Sequence, residues 1–370
     1  LYRGCVLRGN SFAKMKEVLH SQASLFGLRH SNRDFSRRES WGKNQFNSSF
    51  PAALIAYMGS RGIAPIYIRT TPEAGFCHSV IDVNDLLGIE WNSEDIFYSF
   101  ETIYTPFTPF YLGGTPRVDL VIQRRSDGRC LRALEIKLTA LPDVTTCELD
   151  EDRYSCEIVV RPDTISYLAC SIASCHSPEQ IKQALLCLSD ISDGDWTDER
   201  ILVSKFTLLT EAARCLAHLH ADAQKPLIIQ PIWKTLGKSP KLSQHCLDVF
   251  VWSDLSVLHL FFAFEKREVR NIGRHERTLV WLLRMLWDYS YKGQFNAESV
   301  IDELSFNTKN DKAFSSNGII TYQFLKSPYL KEPRIQKHEI KYIVLGGGQH
   351  LLSPERRFDA ILFNSLDIFD

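Results

Sequence analysis

Asp119, Glu135 and Lys137 are the residues of this chain whose types and spacing could do chemistry together. Glu135 and Lys137 are two apart, and alternate residues of a strand project from the same face. Glu135-Ile136-Lys137 therefore sets a carboxylate beside an ammonium, with Ile136 turned to the core. Asp119 precedes them on a separate apolar run, RVDLVIQRR. Ionisable groups on such apolar strands are costly unless they are paired or bound to a metal. Two carboxylates at close range suit a hard cation such as Mg²⁺, which prefers oxygen ligands. A lysine ammonium beside them suits an attacking water and the negative charge that develops during phosphodiester hydrolysis.

The elements that must position these residues are legible nearby. Gly113-Gly114-Thr115-Pro116 reads as a turn, RVDLVIQRR as a strand, Ser126-Asp127-Gly128 as a tight turn and CLRALEIKLTAL as a second strand. Two strands joined by a short Asp-Gly turn predict an antiparallel hairpin that brings Asp119 to Glu135 and Lys137. CEIVVRP predicts a third strand ending at Pro162, after which Asp163 is expected to cap a helix through DTISYLACSIASC. Ser177-Pro178-Glu179 predicts a further helix start, and residues 198–221 have helical spacing. Upstream, a helix is expected around Ser11–Leu28 and another in PAALIAYM, a strand in IAPIYIRT, and a helix start with acidic residues in DVNDLLG. Downstream, LIIQPIW and CLDVFVW read as strands, RHERTLVWLLRMLWDYSYKG as a helix with a wide apolar face, and EIKYIVLGGG and RFDAILFNSL as strands.

The runs GGTPRVDLVI, ALEIKLTALPDVTT and YSCEIVVRPDTISYLA, spanning Gly113–Ala169, resemble the type II restriction endonucleases of the HindVP kind. The resemblance implies an α/β fold: a PD-(D/E)xK core of mixed sheet flanked by helices. It implies Mg²⁺-dependent cleavage of double-stranded DNA at a short palindrome, GRCGYC for that family, with Asp119, Glu135 and Lys137 as the active site. Here the usual Pro-Asp pair is spread over Pro116-Arg117-Val118-Asp119. Asp119 and Glu135 would hold the metal. Many members of this fold add a carboxylate from a helix before the hairpin, for which Glu90, Glu94 and Glu101 are candidates; Glu157, on the third strand, is another. A palindromic target implies a C₂ homodimer. It also implies a cognate DNA methyltransferase that shares the site without having to bind this chain. A structure-specific repair nuclease of the same fold and a non-catalytic DNA-binding protein are the alternatives.

The net charge of −1 does not by itself point to nucleic acid, but its distribution does. Leu1–Lys43 carries nine Lys/Arg against three Asp/Glu, and Arg117–Lys137 six against three. Local basic patches matter because binding depends on the phosphates a surface touches. Arg33, Arg37 and Arg38 in the N-terminal arm, Arg117 before Asp119, and Arg270 and Arg274 in KREVRNIGRHER are the candidate DNA contacts.

At 370 residues, 44% hydrophobic and 24% charged, the chain has a globular composition. It reads as a basic helix and arm (1–50), a catalytic core (51–235) and a C-terminal α/β elaboration for DNA recognition or dimerisation (236–370). No apolar run is long enough to cross a bilayer as a helix, and the N-terminal residues lack the pattern of a secretory signal. Ten cysteines without a CxxC pair suggest reduced thiols, hence a cytoplasmic location. Cys215, His218 and His220 do not share one helix face, which argues against a zinc site. Gly346-Gly347-Gly348 lacks the lysine of a phosphate loop.

Overall fold

A computed structural model describes residues 54–71, 75–134, 136–137, 158–160, 162–223, 227–229, 249–251, 268–306, 314–316, 335 and 339. The N-terminal arm, Arg33, Arg37 and Arg38, Glu135, Glu157, the triple glycine and the strand expected in RFDAILFNSL lie outside the described residues.

Helix α1 (54–61) buries Leu54, Ile55 and Met58. It leads into strand β1 (Ile66–Thr71), which pairs with β2 (Gly75–Val80). Helix α2 (Val83–Leu87) follows, begun by Asp82, whose carboxylate accepts from the Asn84 N–H, and ended by Gly88. Gly88 has φ 68°, a left-handed value that a residue without a Cβ adopts freely. Strand β3 (Ile96–Ile103), a 3₁₀ turn (Thr105–Phe110), β4 (Arg117–Arg124) and β5 (Cys130–Leu134) come next.

The predicted β4–β5 hairpin is present. Its turn is closed by the Gly128 N–H on the Arg124 carbonyl and by the Arg129 N–H on the Asp127 carboxylate. Asp95 accepts from the Ser126 N–H and hydroxyl, tying the entry of β3 to the same turn. Ile122 pairs with Arg132 but Gln123 with Cys130, so Leu131 is the extra residue of a β-bulge.

The run CLRALEIKLTAL is not one strand. β5 closes a three-stranded sheet of order β3-β4-β5, whereas β6 (Ile136–Lys137) is the edge of a five-stranded sheet of order β2-β1-β8-β9-β6. Strands β8 (Leu227–Ile229) and β9 (Val249–Val251) complete that sheet and match two predicted strands. The third predicted strand, β7 (Ile158–Val160), pairs with β10 (Phe314–Ser316), not with the hairpin. Every strand ladder among the described residues is antiparallel, beside one isolated parallel bridge between Tyr111 and Phe295. Each strand taken locally carries the same alternation, and only its distant partner sets the direction.

The helical layer supplies most of the described core. Helix α3 (Pro162–Cys175) starts at Pro162, so Asp163 lies in its first turn and does not precede it. A proline fits the first helical position because its missing N–H would have no partner there. Helix α4 (Pro178–Ala184) begins with a capping box between Ser177 and Gln180. The 198–221 stretch is two helices, α5 (Glu199–Ser204) and α6 (Phe206–His220), broken at Lys205. Helix α7 (Arg274–Lys292) packs against α3, α4 and α6 and against α8 (Ala297–Glu303). Ile165, Leu168, Leu209, Leu216, Leu282 and Leu286 are all fully buried in this one cluster. Leu279, Val280, Leu282, Leu283, Met285 and Leu286 are each fully buried, so α7 is enclosed on more than the single face its pattern predicts. The strand expected from Glu339 begins instead on a helical residue, and the Glu339 carboxylate accepts from the Tyr57 hydroxyl at 2.8 Å. Among the described residues no helix is long and apolar enough to cross a membrane.

Candidate active site

β4 is the middle strand of its sheet, and Val118, Leu120, Val121 and Ile122 are all buried. A strand covered on both faces reads as a continuous apolar run. Asp119 interrupts that run and is the partly exposed residue within it. Placing a carboxylate there works against burial, as functional residues do and core residues do not.

The register carries the site further. β4 and β5 pair through Val121↔Ala133 and Leu120↔Leu134, the last described pair before Glu135. Lys137 enters from the other sheet, paired with Phe250 on β9. The segment Leu134–Lys137 thus passes between sheets, and it begins beside the Asp119 end of β4. Glu135 lies outside the described residues.

On the other side of β4, Phe100↔Leu120 and Thr102↔Val118 bracket Glu101 and set it across from Asp119. Glu101 therefore comes from a strand, not from the helix expected. Its stretch, IFYSFETI, has the aromatic and β-branched composition that reveals a strand. Glu90 and Glu94 are not helical either: both are exposed in the turn between α2 and β3.

Side chains around the hairpin hold it in place. Phe107, from the 3₁₀ turn, is edge-on to Tyr104 at 4.8 Å and to Tyr167 of α3 at 5.3 Å. The Tyr167 hydroxyl donates to the Ala133 carbonyl of β5 at 3.3 Å. Cys130 accepts from Thr105 and from Gln123, each at 3.4 Å. Burial raises the Tyr104 hydroxyl above its ordinary pKa, so it stays protonated as a donor at neutral pH.

The basic candidates separate. Arg117 starts β4 across from Ile103 and is exposed, as are Arg270 and Arg274 ahead of and at the start of α7. Arg277, in the same basic run, is buried: its guanidinium lies 4.6 Å from the Trp281 ring centre and donates to the Ser305 carbonyl. It belongs to the core and is not a phosphate contact. His220 is also buried, with its Nδ1 3.0 Å from His176 Nε2. Among the described residues no group of three His, Cys, Asp or Glu side chains is placed to hold a metal, and the expected set includes Glu135, outside them.

A family model for the HindVP restriction endonuclease matches residues 41–369. The chain belongs to the HindVP restriction endonuclease family. It is 42% identical over 357 residues to the "Type II restriction enzyme HgiDI" of Herpetosiphon aurantiacus, covering 95% of this chain and 98% of that protein. It is 43% identical over 360 residues to the "Probable type II restriction enzyme HindVP" of Haemophilus influenzae, covering 96% and 97%. No solved structure matches it. The match places Asp119, Glu135 and Lys137 well inside the span shared with the HindVP family.

Proposed function

We propose that this protein is a type II restriction endonuclease that hydrolyses both strands of duplex DNA at a short palindrome, GRCGYC by its family resemblance. The observation that carries the reading is Asp119, a partly exposed carboxylate within a buried strand, at the end of the hairpin that leads into Glu135 and Lys137. Membership of a restriction endonuclease family supports it.

Asp119 and Glu135 are the residues assigned to hold Mg²⁺. The donor chemistry fits: carboxylate oxygens are hard ligands, and Glu101, set across from Asp119, adds a third acid at the same register position. When bound, the ion lowers the pKa of a coordinated water and offsets charge on the phosphoryl oxygens. Lys137 orients the attacking water and stabilises the negative charge of the transition state. Arg117, Arg270 and Arg274, with Arg33, Arg37 and Arg38 of the arm, are assigned to DNA. A C₂ homodimer would place one such site on each strand of the palindrome. The reading includes a cytoplasmic location, where a host's DNA and the matching methyltransferase act.

Digestion of unmethylated DNA with Mg²⁺, followed by sequencing of the ends, tests it. Discrete fragments ending at one short palindrome are expected. Cutting confined to junctions or flaps would assign the fold to DNA repair instead.

A further inference from the structure

Arg132 lies on β5, three residues before Glu135 in the chain, and has a setting unlike that of Arg284, Arg124 and Arg277. Arg284 pairs with Asp193 and Asp288. Arg124 pairs with Asp127 and Asp95. Arg277 stacks on Trp281. Arg132 is partly buried, across from Ile122 and next to the bulge at Leu131. Its Nη2 is 3.1 Å from where a Cβ on Gly88 would stand, so the guanidinium rests against the left-handed end of α2. The hydroxyls of Tyr167 and Tyr104 are the groups within electrostatic reach of it, and burial draws its pKa below the ordinary arginine value. Among the described residues no carboxylate lies at ion-pair distance from it.

A guanidinium withdrawn from water is expensive unless an anion offsets the charge. Its planar fork of donors matches a phosphate through two parallel hydrogen bonds. Arg129, exposed on the same hairpin, adds a second cation on the approach to β5. We propose that Arg132 binds a backbone phosphate of the DNA near the phosphodiester that is cut, fixing the duplex on β5. The proposal rests on the restriction endonuclease reading. Arg132 is the residue that sequence reasoning missed, because its type is common and only its partial burial, with no carboxylate at ion-pair distance among the described residues, marks it.

The test is fluorescence anisotropy on the full chain with a labelled duplex carrying GACGTC, in Ca²⁺ so that nothing is cut, across a salt titration. Arg132→Gln is expected to weaken binding roughly fivefold to tenfold and to make the log–log salt dependence shallower by about one. The same change is expected on a scrambled duplex, since a phosphate carries no sequence. Where the variant does not fold, phenylglyoxal modification of the unaltered chain, mapped by mass spectrometry, decides: duplex DNA should protect Arg132. Wild-type affinity and slope in Arg132→Gln, or equal modification of Arg132 with and without DNA, overturns the proposal alone. An unaltered chain that binds neither duplex overturns the restriction endonuclease reading as well.

Discussion

Glu101 lies directly across from Asp119, on the strand that pairs with the other edge of β4. The pair spans β3 and β4, and Lys137 stands on β6 of the other sheet. Glu101→Gln removes one negative charge and keeps the shape. It is expected to raise the Mg²⁺ concentration needed for half-maximal cleavage by about 10–100-fold, the usual cost of losing a group that supports a metal ligand. DNA binding in Ca²⁺ should change far less. An unaltered Mg²⁺ dependence would reduce Glu101 to an ordinary strand residue.

How much of this was written locally in the chain depends on the range of the interaction. The β4 strand, the Asp127-Gly128 turn and the helix start at Ser177 follow from residues a few positions apart, and each is where the sequence places it. The passage from one sheet to another between Leu134 and Ile136 is not local. CLRALEIKLTAL alternates like one strand, and nothing inside it says that β4 pairs with its first half and β9 with its second. Arg277 shows the same limit. In a run of five cations it reads as surface, until Trp281 four residues later gives it a buried face. For Asp119 the type was enough, because a carboxylate amid four buried apolar residues is costly wherever it points.

Gly59 sits in α1 beneath the indole of Trp91, and a Cβ there would stand 2.5 Å from Trp91 Cδ2. Alanine normally favours a helix over glycine by roughly 1 kcal/mol, whereas overpacking costs about 1–3 kcal/mol. The Trp91 backbone N–H donates to the Asn84 side-chain carbonyl at 2.8 Å, so the main chain that carries the ring is anchored. Gly59→Ala should therefore lower the urea midpoint. A midpoint equal to or above that of the unaltered chain would show that the ring moves freely.

Phe107 is buried between Tyr104 and Tyr167 and links the end of β3 to α3. Phe107→Ala is expected to cost about 3–5 kcal/mol in chemical denaturation, from lost burial and the cavity left behind. It should also reduce cleavage, because Tyr167 reaches β5 through the Ala133 carbonyl. Full activity together with that stability loss would mean that the hairpin holds its position without this aromatic contact.

The cysteines should differ in reactivity. Cys175 is exposed, Cys170 is buried with its thiol pKa raised, and burial pushes the Cys187 thiol up to about 11. The thiolate is the reactive form, so at mildly alkaline pH the Cys187 population is small and grows as pH rises towards that value. Iodoacetamide labelling of the native chain, read by peptide mass, is expected to reach Cys175 well before Cys187, with Cys170 later still. Equal rates for Cys175 and Cys170 would contradict the packing of α3.

The central claim is that Asp119 serves the reaction and not the fold. The direct measurement compares Asp119→Ala with the unaltered chain for cleavage of unmethylated GACGTC duplex in Mg²⁺, with binding of the same duplex in Ca²⁺ and a thermal melt measured alongside. The account predicts folded protein that still binds the duplex and does not cut it. Asp119→Ala cutting at the full Mg²⁺-dependent rate would contradict it.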